Sequence, residues 1–449
     1  MVDVTTTSSS VPLYSVNAIR VIAEYFVIRL HTVRNYTGMD MFVRELMSFF
    51  FVLSGFVMMY THMDTSFSSR EAVIKFLLHR WWKVYPTYLL CWLYWITFLA
   101  AIALDLQKEC VLRLYCSFMQ LLMLDCWSGC GIMHVVNGPS WYLSCTCWIW
   151  LVFPAIKDIL ASFFCNRIWV KIAATGFLST GILYLFQDYD IFSTCTLPIL
   201  RIGEFIVGCG AACSLRKQTC STESPTTRQY HWYYLVISMG GLVIMYSFLG
   251  MAHGIDSLCL HQNVQSPSCT LWQKSQWVQA SPPCYTMGDK YFNKNAVVWA
   301  LAIHTVAQAE LDGHTGWFST FLQHGIFKWV NRFSLTLYLG HSNVSITVKW
   351  LAQKILGWDE NQWGADTVMV SVYCLCFLLH NAIHWLTNRV KTRSTDHVIN
   401  PTNIDQSSFV PLIHPNACET ETDESNVIDV MLVLTNIHAL DTTHPDDYQ

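Results

Sequence analysis

The chain has 449 residues, of which 53% are hydrophobic and only 13% charged, and its formal net charge is −4. Soluble domains carry roughly 25% charged residues, so this depletion excludes an ordinary soluble fold, and the near-neutral balance offers nucleic acid no footing. Apolar runs long enough to cross about 30 Å of hydrocarbon recur along the chain. Residues 84–104 (VYPTYLLCWLYWITFLAAIAL) contain no charge at all.

In chain order, residues 1–13 form a short polar N-terminus without the basic start of a cleavable signal peptide. Hydropathy then predicts an all-α bundle of about ten transmembrane spans, near 14–32, 42–61, 84–104, 140–157, 169–187, 195–213, 232–251, 295–311, 333–350 and 366–388. The apolar segment 114–126 is short for a crossing and reads as re-entrant or interfacial. Lys and Arg concentrate in alternate loops: Arg70, Lys75, Arg80 and Lys83, then Lys157 and Arg167, then Arg216, Lys217 and Arg228, then Lys328 and Arg332. By the positive-inside rule both termini are cytoplasmic, with Arg389, Lys391 and Arg393 flanking the last span on that side. The opposite loops, 105–139 and 252–294, hold Cys110, Cys116, Cys126, Cys130, Cys259, Cys269 and Cys284, a clustering that suits disulfides in an oxidising compartment. The sequon at Asn35 falls on that side too, close to the membrane, whereas the one at Asn343 lies inside a span. A transmembrane domain over 14–390 is thus followed by a tail, 391–449, acidic around Glu419–Ser425 and lacking Lys and Arg after Arg393. Such a composition reads as disordered.

The first span carries the most chemistry. In NAIRVIAEYFVIRLH, residues 17–31, four ionisable groups occupy one crossing, and intramembrane charge is costly enough to be functional by default. At about 100° per residue, Arg20 and His31 stand three turns apart on nearly one line, with Glu24 one turn from Arg20 and placed to pair with it. Arg29 points elsewhere and snorkels. Histidine has an unperturbed pKa near 6.5 and suits a general base that takes a proton from a hydroxyl. The plain alternative is a polar stripe that only joins helices. In FLLHRWWKVYPTY, residues 76–88, Arg80 and Lys83 lie one turn apart before Tyr85. They could grip phosphates, or anchor the helix at an aromatic belt. Arg201 and Glu204, at i,i+3, are readable as an ion pair or as site residues. The 18 Cys form no zinc pattern, and no metal is expected.

Several motifs together resemble the acyltransferase-3 family of integral membrane acyltransferases. Arg20 and His31 resemble its first-helix R-x10-H, and SFFFVLSGF (48–56) its second-helix motif. RWWKVYP (80–86) is similar to R-x-x-R-x-Y-P with Lys83 in place of the second Arg, and NGPSWYLS (137–144) to N-G-P-x-W-S-L-S. LRIGEFIVG (200–208) resembles R-L-P-E-F-x-x-G, and SLTLYLGH (334–341) the late S-Y-S-L-Y-L-x-H. The order is the family's, across roughly 14–390.

The resemblance implies an acyl-CoA co-substrate, acetyl-CoA by expectation, held on the cytoplasmic side by Arg80, Lys83 and Tyr85. It implies His31 as the essential base, supported by Arg20 and Glu24. The acceptor would be a hydroxyl of a sugar, lipid or small molecule, with Trp141, Ser144, Arg201, Glu204 and His341 as its binding candidates. Two carboxylates common in the family are missing: Ser48 stands where an Asp is usual, and Thr146 where a Glu is, with Glu45 a nearby substitute for the first. The readings that stay open are a membrane-bound O-acyltransferase, a transporter using the Arg/Glu/His stripe as a substrate path, and a non-catalytic relative. All three place the chain in a lipid bilayer, plasma membrane or endomembrane.

Overall fold

The computed structural model describes residues 12–32, 39–102, 110–127, 137–186, 197–220, 296–313, 317–357 and 365–396. Among these every regular element is a helix. In order they are α1 (Tyr14–Thr32), α2 (Met39–His62), α3 (Arg70–Ile102), α4 (Cys110–Leu121), a single 3₁₀ turn (Gly138–Ser140), α5 (Trp141–Phe163), α6 (Ile168–Phe186) and α7 (Pro198–Cys220). Then come α8 (Ala296–Leu311), α9 (Trp317–Leu322), α10 (Gly325–Leu356) and α11 (Ala365–Asp396). The predicted span 232–251, the acidic tail beyond 396, the sequon at Asn35 and the side chain of Glu45 lie outside the described residues.

Three helical stretches among the described residues, Gly138–Phe163, Pro198–Lys217 and Thr367–Trp385, are long and apolar enough to cross a membrane; Leu46–His62, Ile168–Ser179 and Ala296–Leu311 are shorter apolar helices. Large apolar side chains also face outward, with Phe177 72% and Ile159 66% exposed, as expected where lipid rather than water is the solvent. α3 starts at Arg70, well before the predicted 84, because its first four turns are amphipathic and hydropathy registers only the apolar remainder. α5 likewise runs past 157 to Phe163. It can do so because buried Lys157 donates to the Met63 and Thr65 carbonyls and pairs with Asp158 at 2.9 Å.

The chain divides into two compact units, Met1–Phe377 and Leu378–Gln449. In the second, the described residues are the later part of α11, where His380 and His384 stand one turn apart with ring centroids separated by 6.4 Å.

In the first unit, α7 packs against α2, α6, α8 and α5, and α1 packs against α10, α2 and α8. The larger apolar core joins Phe51, Phe56, Phe153, Phe205 and Ile303, among others. A second core joins Val21 and Ile28 of α1 to Phe333 and Leu337 of α10 and Val372 of α11. α1 serves both, since Ala23 and Val27 belong to the larger one. Its N-terminus is held from across the fold: the Tyr14 and Ser15 backbone N–H groups donate to the Glu310 carboxylate at 2.9 and 2.8 Å. That carboxylate satisfies two of the orphan donors of a helix start and complements its dipole.

The α2–α7 contact explains two of the motif glycines. A Cβ at Gly55 would overlap the Phe205 carbonyl, and one at Gly208 would overlap the Val52 carbonyl. The two backbones therefore touch, as small residues permit between membrane helices.

Candidate functional site

A polar seam runs between α1 and α10. Glu24, almost fully buried, lies with its Oε1 3.7 Å from the Arg20 Nε and accepts a hydrogen bond from the Ser334 hydroxyl. Arg20 in turn donates to the Asn331 side-chain oxygen. The pair predicted from spacing alone is therefore present, and α10 supplies the two residues that complete it. Arg29 donates to its own helix neighbour Tyr25 at 3.0 Å and stays outside the seam.

At the far end of the seam His31 is exposed. Its ring centroid lies 5.1 Å from that of His341, the planes tilted by 38°. His341 is completely buried, with Nδ1 2.7 Å from the Tyr338 carbonyl and no hydrogen-bond partner at Nε2. The structure thus joins the first and last of the motif histidines, although 310 residues separate them in the chain.

The NGPSW turn holds that end of α10 in place. The Tyr338 hydroxyl donates to the Pro139 carbonyl at 2.8 Å, and the Asn137 amide donates to the Leu339 carbonyl at 3.1 Å. Asn137 is anchored in turn by Gln120, whose side chain accepts from its N–H and donates to its carbonyl. Ser144 is fully buried and donates to the Met123 carbonyl at 2.7 Å, so its hydroxyl fastens the 122–127 turn to α5. Asp125 sits in that turn against Ser140. Burial lifts its carboxyl to about 6, opposed by hydrogen bonds from Ser144 and Ser140. Of the cysteines expected to be bridged, Cys116 is disulfide-bonded. Cys126 is not. It is a buried free thiol against Ser144, because the turn folds it inward. Cys130, Cys259, Cys269 and Cys284 lie outside the described residues.

Arg201 and Glu204 form a closed ion pair at 3.1 Å, both almost wholly buried. The guanidinium also lies over the Phe51 and Trp141 rings, 5.4 and 5.9 Å from their centroids. The Glu204 carboxylate faces Ser48. A carboxylate therefore stands beside the position where the family's Asp is missing, delivered from α7 rather than α2. At the other departure, Thr146 donates to the Tyr142 carbonyl of its own helix at 2.7 Å.

Arg80 is partly buried and directs its guanidinium at the His62 Nε2, 2.9 Å away. Because guanidinium only donates, that nitrogen is the acceptor and His62 is held neutral. Lys83 is exposed. Tyr85 donates to the Leu121 carbonyl at 3.3 Å and stacks on Trp81. Lys157 and Arg216, the latter paired with Asp64, converge on the same 62–69 loop. Spacing in the sequence singles out Arg80 and Lys83 but not His62, Lys157 or Arg216. Their only sequence signal is that they close or follow predicted spans on the basic side.

The helical fold and the family to which its motifs belong make this a membrane-associated acyltransferase. The chain belongs to the acyltransferase-3 family: residues 13–386 match the family model described as an acyltransferase domain. No curated protein and no solved structure matches the chain.

Proposed function

We propose that the protein is a multi-pass O-acyltransferase of about ten spans with both termini cytoplasmic, moving an acyl group, acetyl by expectation, from acyl-CoA to a hydroxyl on a sugar, lipid or small molecule. The observation that carries this reading is the exposed His31 imidazole at the end of the Arg20–Glu24 stripe, beside a second, buried imidazole. A stripe that only joined helices would have no reason to end on an exposed base.

In this reading His31 takes the proton of the acceptor hydroxyl as its oxygen attacks the thioester carbonyl; the C–O bond forms, the C–S bond breaks, and the proton passes to the departing CoA thiolate. Arg20, anchored by Glu24 and Asn331, fixes the stripe and adds positive potential toward the developing oxyanion. Arg80 and Lys83 meet the CoA phosphates, with Tyr85 holding their helix to the Leu121 turn. Trp141 lines the acceptor side, with His341 buried behind His31, Arg201 and Glu204 supporting Trp141 from beneath and Ser144 fixing the start of α5.

The test is turnover of radiolabelled acetyl-CoA by purified protein in nanodiscs. Wild type should bind and consume it, Arg80→Ala should bind it more weakly, and His31→Ala should bind it while losing about 10²- to 10⁴-fold in transfer, the usual worth of a general base. Full transfer by an inserted His31→Ala protein would sink the assignment.

A further inference from the structure

The His31–His341 pair has an asymmetry that the base assignment does not use. A carbonyl oxygen only accepts, so the 2.7 Å contact of His341 Nδ1 with the Tyr338 carbonyl requires the proton of His341 to sit on Nδ1. Its Nε2 is then a lone pair. That nitrogen is buried, makes no hydrogen bond, and belongs to a side chain of zero exposure. An unmet acceptor in such a place is costly, and His31 is the neighbouring imidazole, its ring centroid 5.1 Å away.

The separation is also the right one. A bond of about 2.9 Å between ring nitrogens puts two imidazole centroids about 5 Å apart, and 5.1 Å is observed. The bond requires the exposed His31 ring to turn about its Cβ–Cγ bond. His341 itself cannot turn in the same way, because Tyr338 holds its other nitrogen and the Pro139 and Leu339 contacts hold that turn of α10.

We infer that His341 is the positioning residue of the His31 base: its Nε2 lone pair accepts the one N–H of neutral His31 and thereby presents the opposite nitrogen, unprotonated, to the acceptor hydroxyl. The inference rests on His31 being that base. It assigns His341 the part that a carboxylate plays in a Ser-His-Asp triad, where the third member fixes the tautomer of the second. When His31 takes the hydroxyl proton, its bond to Nε2 becomes charge-assisted and shorter. The imidazolium is stabilised without a negative charge being buried there. The other titratable and charged groups on the elements packed around the seam include Arg20, Glu24, Tyr25 and Arg29 of α1, Tyr94 of α3, Asp125 of the 122–127 turn, Tyr142 of α5, Arg332, Tyr338 and Lys349 of α10 and Tyr373 of α11. Arg20 and Glu24 are engaged with each other.

The experiment compares wild type with His341→Gln, which keeps an acceptor oxygen near Nε2, and His341→Leu, which keeps bulk alone; His341→Phe replaces the latter if it fails to insert. Two readouts are taken in nanodiscs: the pH profile of kcat with acetyl-CoA, and the pH dependence of His31 carbethoxylation by diethylpyrocarbonate, read by mass spectrometry. His341→Leu should lose about 10²-fold in kcat with the KM for acetyl-CoA unchanged, and His341→Gln should recover at least a tenth of the wild-type rate. Loss of the acceptor destabilises the His31 imidazolium, so the midpoint of His31 labelling should fall by about one pH unit in His341→Leu and stay in place in His341→Gln. Identical labelling curves in all three proteins would overturn the inference, as would an unaltered kcat in His341→Leu. The labelling arm needs no acyl transfer, so a wild type that fails to turn over any acyl-CoA refutes the enzymatic reading while the curves still decide how the two histidines are coupled.

Discussion

The α2–α7 contact and the α1–α10 seam each hold an Arg–Glu pair, yet the two regions are built on opposite terms. Between α2 and α7 the backbones touch through Gly55 and Gly208, and the Arg201–Glu204 pair is sealed, with its cation under Phe51 and Trp141. Between α1 and α10 the side chain of Arg20 keeps about a third of its exposure, and the polar line continues outward to an exposed His31. A sealed pair has no opening for a ligand and acts on its neighbours through geometry. An open line of polar groups has a mouth, and chemistry belongs at the mouth.

That contrast can be broken experimentally. The largest effect on stability is expected at the sealed pair, where Arg201→Leu leaves the Glu204 charge buried and should cost about 3–5 kcal/mol, while Arg201→Leu with Glu204→Leu should regain most of it. Arg20→Leu leaves the buried Glu24 carboxylate with Ser334 alone, but Arg20 is itself a third exposed, so the cost should be smaller, about 1–3 kcal/mol. Thermal unfolding in nanodiscs measures all three, and equal losses for the two Arg variants would erase the distinction. Next comes the glycine contact. Gly208→Ala forces a methyl group against the Val52 carbonyl, and overpacking of that kind costs about 1–3 kcal/mol. A wild-type unfolding midpoint for Gly208→Ala would mean that the helices part without penalty.

The smallest effect concerns how α1 is seated. Glu310→Ala removes the acceptor for the Tyr14 and Ser15 N–H groups and should cost about 1 kcal/mol, the usual worth of a helix N-cap. Hydrogen exchange should then quicken in the first turn of α1 while α7 keeps its protection. Uniform quickening across both helices would show that α1 is not seated independently.

Much of this was legible in the chain. Hydropathy located the apolar helices because crossing length and charge depletion are local properties. The Arg20–Glu24 pair followed from i,i+4 spacing, which the helix geometry alone decides. Helix starts were less legible: α3 begins at Arg70 because an amphipathic stretch is as helical as an apolar one but does not register as a span. The two glycines stood inside recognised motifs, but their reason, backbone against backbone, needs both helices in view.

What the sequence by itself determined is the class: an all-helical membrane protein of the acyltransferase-3 family with an ionisable stripe on its first helix, because composition, period and motif order are written along one dimension. What only the tertiary structure decided is which distant groups meet. Glu204 comes to stand beside Ser48, Cys126 turns inward to Ser144, and His341 arrives next to His31 with its Nδ1 proton fixed by a carbonyl. No local pattern encodes those meetings, since each depends on how separate segments pack; the Tyr338 carbonyl that selects the His341 tautomer is the one local contact, a turn back on the same helix.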